Sequence, residues 1–206
     1  MLKNKKVMII LLIIVLILAI FSYIFLAKNS KMGNNKTSQE IVDYILNINS
    51  YMSEITVTVN SNKNTNKYIL KQEYTSPNIS VQEVLEPENI KGMKIINNGT
   101  NLSIENTKLD LNRIYQDYEY LNNNSLDLGT FISDYKNNEN SKYEEKNGAI
   151  IMKTEVKNSD NKYIRNKTLH IDLNTGLPTK LEIKDINNNV TVYILYNNIV
   201  LNNIIW

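Results

Sequence analysis

The chain opens on an unbroken apolar run. Val7 to Leu26 is apolar at every position except Ser22 and Tyr23. As a helix this run is about 30 Å long, the thickness of a bilayer hydrocarbon core. Lys3, Lys5 and Lys6 precede it and Lys28 follows. The pattern predicts a membrane-inserted helix, with Val7, Leu12, Leu16, Phe21 and Leu26 among its anchoring residues. The run ends Tyr-Ile-Phe-Leu-Ala, without a small-x-small cleavage signal, so the helix is expected to stay as an uncleaved anchor. Carrying three lysines and the amino group across the membrane is unfavourable, so the N-terminus is expected in the cytoplasm and the rest outside.

Lys28 to Lys36 is a polar linker. Thr37 and Glu40 then have capping-box spacing ahead of an apolar stripe, Ile41, Val42, Ile45, Leu46 and Ile48. This predicts a helix from Thr37 to about Asn49. Beyond it the period falls to two. Ile55, Val57 and Val59 alternate with Thr56 and Thr58. Tyr68, Leu70 and Tyr74 alternate with Lys71 and Glu73, and Ile79 and Val81 with Ser80 and Gln82. In each strand the apolar set is expected on the buried face. Met93 and Ile95 lead into Asn98-Gly99, a hairpin signal, with Leu102, Ile104, Leu109 and Leu111 beyond.

Ser125 to Tyr135 breaks the alternation. Leu126, Leu128, Phe131, Ile132 and Tyr135 fit one helical face, with Ser125 as N-cap and Gly129 as a weak point. Lys136 to Lys142 is polar. Strands resume at Ile150–Val156, Leu169–Leu173, Leu181–Ile183 and Val190–Ile194, separated by turns near Asn158–Asn161, Asn174–Gly176 and Asn187–Asn189. The expected class is α+β, with about five strands, a helical insertion and about four more. Such a chain makes one curved antiparallel sheet with helices on its concave face, preceded by a transmembrane helix. Residues 1–27 are the tail and anchor, 28–36 the linker, and 37–206 a single domain.

Composition narrows the chemistry. The chain has 206 residues, no cysteine and one histidine, His170. Disulfides, thiolate metal sites, a cysteine nucleophile and a lipidated cysteine are all excluded. Asn (35) and Ile (29) are in large excess, which points to an A/T-rich bacterial genome. Six of the 23 basic residues precede Thr37 and every acidic residue follows it, so the remainder carries 17 basic against 21 acidic groups. A mildly acidic body argues against nucleic acid as a partner.

No Gly-rich phosphate loop or Gly-x-Ser-x-Gly elbow is present. His170 alternates with Leu169 and Ile171, so it and Asp172 fall on the polar face of a strand. The acid pairs Asp117/Glu119 and Glu144/Glu145 read as solvated surface. Asp127, Asp134 and Glu139 follow no cation-loop spacing. No catalytic residue, metal or cofactor is expected. Tyr115, Tyr118 and Tyr120 form a cluster, and tyrosine is favoured at interfaces, so they are candidate partner contacts.

The run from Leu169 to Asp185 resembles the strand-turn-strand of the LolA-like superfamily, on Asp172, Thr175, Gly176, Pro178 and Asp185. The capped helix feeding directly into the strand Ser53–Asn60, and the segment Lys91–Ile104, are similar as well. Within the superfamily the chain looks most like the GerS-type clostridial germination lipoproteins, partly through the insertion Leu126–Tyr135. The resemblance implies a half-open barrel wrapped around helices. It implies a non-enzymatic, extracytoplasmic protein, at the cell surface or between the forespore membranes. Such a protein binds a cell-wall amidase and supports the cortex modification needed for germination. The alternative it implies is a lipid or lipoprotein carrier with a concave apolar pocket. A cysteine-free chain cannot be lipidated as GerS-type proteins are, and the N-terminal helix would do the tethering. An exposed edge strand would let copies pair into a homo-oligomer.

Overall fold

A computed structural model describes residues 36–61, 63–77, 79–116, 126–156 and 161–202. The membrane-anchor residues Val7, Leu12, Leu16, Phe21 and Leu26 lie outside these, as do Tyr118, Tyr120, Asp117, Glu119 and Ser125. Among the described residues no helix is long and apolar enough to cross a membrane.

Helix α1 spans Ser38–Leu46. Its start is the expected capping box. Thr37 Oγ1 accepts from the Glu40 amide, and the Glu40 carboxylate accepts from the Thr37 amide at 2.7 Å. Six strands follow: β1 (Ser50–Asn60), β2 (Thr65–Thr75), β3 (Ile79–Glu86), β4 (Lys94–Asn98), β5 (Leu102–Asn106) and β6 (Leu111–Tyr115). Helix α2 (Leu128–Asn137) interrupts the meander. Then come β7 (Lys142–Lys146), β8 (Ala149–Glu155), β9 (Asn166–Asp172), β10 (Pro178–Lys184) and β11 (Val190–Leu201).

Among the described residues all eleven strands form one curved antiparallel sheet in the order β6-β5-β4-β3-β2-β1-β11-β10-β9-β8-β7. The first and last strands of the domain pair at its centre, so each meander makes one wing. Both helices pack on one face, here the inner face. Ile41 and Ile45 of α1 and Phe131 of α2 join Ile55, Ile150, Met152, Leu169, Ile171 and Ile194 in one fully buried core. Asn198, at φ 52°, sits in a bulge where β11 gains a residue over β1 between the pairs Met52–Val200 and Glu54–Asn197. The bulge bends β11 and turns Ile199 inward.

Four expectations change. The N-cap of α2 is Asp127, whose Oδ1 accepts from the Thr130 amide at 2.8 Å. The β4–β5 turn centres on Gly99-Thr100, one residue beyond Asn98-Gly99, because Asn97 pairs with Leu102. Strand β7 has the single apolar residue Tyr143 and so lacks a hydrophobic alternation. Its cue is Asn147-Gly148, both at positive φ, the geometry of a tight hairpin turn. Strand β3 is turned over: Ser80 and Gln82 face inward and are buried, while Ile79 faces out and is 47% exposed.

The Asp172–Asp185 motif resolves into turn chemistry. Asp172 Oδ1 accepts from the Thr175 amide and hydroxyl, and Gly176 takes φ 68°. Asp185 Oδ1 accepts from the amides of Asn187 and Asn189. Pro178 is the buried first residue of β10, where a missing amide proton is tolerated.

Candidate functional site: a polar cleft on the inner face

Helix α2 runs across the inner face, from the start of β1 to the end of β8 and the start of β9. Its N-terminus is held by a buried tyrosine. Tyr51 Oη accepts from the Leu128 amide at 2.8 Å and donates to Gln72 Oε1 at 3.0 Å. Its C-terminal half is held by an ion pair. Lys167, 1% exposed, reaches Asp134 Oδ2 at 2.6 Å. Asn138 then donates to the Glu155 carbonyl at 2.9 Å.

Between α2 and the wing of β2, β3 and β4 lies a cleft of about 430 Å³. The strands contribute Tyr74, Ser80 and Asn97, and the helix side contributes Asp127, Ile132, Ser133 and Lys136. Tyr74 stacks on Tyr51 with ring centroids 5.5 Å apart and donates to the Pro77 carbonyl at 3.0 Å. Burial, and secondarily the Asp127 carboxylate, push the pKa of Tyr51, Tyr74 and Tyr196 up. All three are therefore neutral hydroxyls at physiological pH. Gln72 Nε2 and Tyr196 Oη are buried with no hydrogen-bond partner among the described residues. A wider depression of about 740 Å³ lies at the β1–β2 and β10–β11 turns. Asp185 and Ser61 there are occupied in holding their own turns.

Of the sequence-flagged groups that the structure describes, Asp127 and Asp134 line the cleft, whereas Tyr115, His170, Glu144 and Glu145 lie apart from it. Tyr115 is on the inner face of edge strand β6, opposite Leu102, and is 43% exposed. His170 is on the outer face, as its alternation requires, but half-buried. Burial lowers its basicity, the nearby Lys180 adds to that, and Glu182, 4.0 Å away, opposes it. Glu144 pairs with Lys153 at 2.6 Å, whereas Glu145 accepts from Ser38 on the opposite face, so these two carboxylates diverge. Among the described residues no three His, Asp or Glu side chains converge as metal ligands would. Sequence reading missed the cleft because it forms only where α2 docks beside β2–β4, and because alternation alone turns Ser80, its lining residue on β3, outward.

An open antiparallel sheet wrapped over two helices, with a cleft on its inner face, is the architecture of a LolA-like binding domain. The structure of the CwlD amidase from Clostridioides difficile in complex with the GerS lipoprotein contains such a chain, 25% identical to this one. That match covers 80% of this chain and 96% of GerS at a TM-score of 0.51. An uncharacterized conserved protein from Thermus thermophilus shares the fold at 9% identity. The match covers 82% of this chain and 90% of that one at a TM-score of 0.51. A LolA superfamily protein from Nitrosomonas europaea is 12% identical, with coverages of 82% and 96% and a TM-score of 0.44. No curated protein matches the sequence. The chain belongs to the sporulation protein YdcC-like family, whose model matches residues 4–205.

Proposed function

We propose that this protein is a membrane-tethered, extracytoplasmic, non-enzymatic accessory protein of sporulation that binds a cell-wall amidase. In this reading residues 1–27 are the cytoplasmic tail and anchor, 28–36 the linker and 37–206 the partner-binding domain. Its role is to support the cortex modification on which germination depends. The observation that carries the reading is the similarity to GerS, solved with the CwlD amidase, over nearly the whole of GerS. Membership of a sporulation family agrees with it. The helix Val7–Leu26 supplies the tether that a cysteine-free chain cannot obtain by lipidation. Tyr115, with Tyr118 and Tyr120, is the first partner contact to probe.

The carrier alternative is disfavoured by packing. The inner positions of β1 and β8–β11 are filled by α1 and α2, with Ile55, Ile150, Leu169 and Ile171 at 0% exposure. A lipid carrier needs that volume open. The deciding experiment is capture of the tagged full-length chain from sporulating cells, with mass spectrometry of bound protein and bound lipid. A stoichiometric amidase without lipid is the expected result. No amidase, together with normal cortex in a deletion strain, overturns the reading, and lipid alone moves it to a carrier.

A further inference from the structure

We infer that the cleft between α2 and β2–β4 is a binding site for a short N-acetylated saccharide of the cell wall. The first observation is the inverted strand. Ile79 and Val81 would be buried if β3 slipped by one residue, since strand side chains alternate faces. The fold instead buries Ser80 and Gln82, at 6% and 8% exposure, and leaves Ile79 in water. The same register keeps Val84 in the core at the far end of β3 and presents Ser80 to the cleft at the near end, where the apolar pattern alone would have placed Ile79.

The second observation lies behind the lining. Gln72 pairs across the strands with Gln82 on the same inner face and is fully buried. Its Oε1 is taken by Tyr51, yet its Nε2 donor has no partner. Buried polar groups in native structures are normally hydrogen-bonded, and this orphan donor sits one inner-face position from the lining residue Tyr74, behind the cleft wall and outside its lining.

The third is the chemistry of the lining. At about 430 Å³ the cleft falls within the range of small-molecule sites. Ser80, Asn97, Ser133 and Asn137 supply hydroxyls and amides, and Ile132 and Tyr74 supply apolar surface. An acyl chain would desolvate these polar groups without replacing their hydrogen bonds. A phosphate would face the Asp127 and Asp134 carboxylates, with Lys136 as the only cation of the lining among the described residues. A saccharide offers hydroxyls that donate and accept, an N-acetyl carbonyl for amide donors, and a C–H face for the apolar side. The choice of a wall saccharide rests on the extracytoplasmic, amidase-binding reading above.

The test uses the full-length chain in lipid nanodiscs and the N-acetylglucosaminyl-N-acetylmuramic acid disaccharide, followed by saturation-transfer NMR. Wild type is expected to bind. Ser133→Trp, an exposed helix position that fills the cleft, is expected to weaken binding by about tenfold or more with the circular dichroism unchanged. If Ser133→Trp misfolds, Asn97→Leu carries the same test. No transfer to wild type, equal binding by both variants, or displacement by palmitate overturns the inference. Amidase capture is measured on the same preparations. Capture without saccharide binding refutes only the cleft assignment, and saccharide binding without capture refutes only the partner reading.

Discussion

Gly129 lies against the ring of Tyr74 so closely that a Cβ at position 129 would fall 2.4 Å from Cε2 and 2.5 Å from Cζ. The helix thus approaches β2 at a distance only glycine permits. In an exposed helix, glycine to alanine gains up to about 1 kcal/mol of helix propensity. Here overpacking, typically about 1–3 kcal/mol, opposes that gain. Gly129→Ala is therefore expected to lower the unfolding midpoint, and Tyr74→Leu in the same chain to restore part of the loss. A rise in midpoint for the single variant would show that the contact yields freely.

The Lys167–Asp134 pair holds the other half of α2. Lys167 lies on the inner face with Leu169 and Ile171, where a lone cation cannot be solvated. Asp134→Ala strands that charge and is expected to cost about 3 kcal/mol, the lower end for breaking a buried pair because Asp134 is partly exposed. The double variant Lys167→Met/Asp134→Leu is expected to recover most of it. Denaturant titration of Lys167→Met, Asp134→Leu and the double measures the coupling.

Tyr51→Phe removes the acceptor for the Leu128 amide and the donor to Gln72 in a buried setting. The expected loss is about 1–3 kcal/mol. The pH dependence follows from the raised pKa of Tyr51, Tyr74 and Tyr196, caused first by burial. Below the unfolded tyrosine pKa of about 10 both states hold these protons, so the contribution is fully present. Above it the unfolded chain releases protons that the folded chain keeps, and stability falls with rising pH. Chemical denaturation from about pH 8 to 11 should show this fall, with a shallower slope in Tyr196→Phe.

Gly148 poses the opposite problem to Gly129. A Cβ there meets nothing within 4 Å, but its φ is +74° beside Asn147 at +53°. Gly148→Ala is expected to cost about 1 kcal/mol through backbone strain alone. Hydrogen exchange should show the loss concentrated in the β7–β8 hairpin, with the β1–β11 pair little affected.

Local chemistry was readable without a fold. The Thr37–Glu40 box starts α1 where its side chains place it, because the bonds close within one turn of chain. The Asp172 and Asp185 turns form for the same reason, each carboxylate serving amides two to four residues on. The alternation of β1, β9 and β10 set their buried faces, since the apolar residues of each had one sheet side to cover. The tertiary structure decided the rest. Strand β3 follows the hydrogen-bond register of β2, with Val84 in the core but its first half against its own pattern, placing Ser80 beside Tyr74 and Gln82 beside Gln72. Strand β7 exists because β8 offers an edge and Asn147-Gly148 makes the turn, although its residues carry almost no hydrophobic signal. Gly129 reads as a defect in a helix until the Tyr74 ring stands over it. Each of these depends on a partner distant along the chain or on a neighbouring strand's register. Side-chain periodicity records which faces a segment prefers, whereas pairing across the sheet fixes which face it shows.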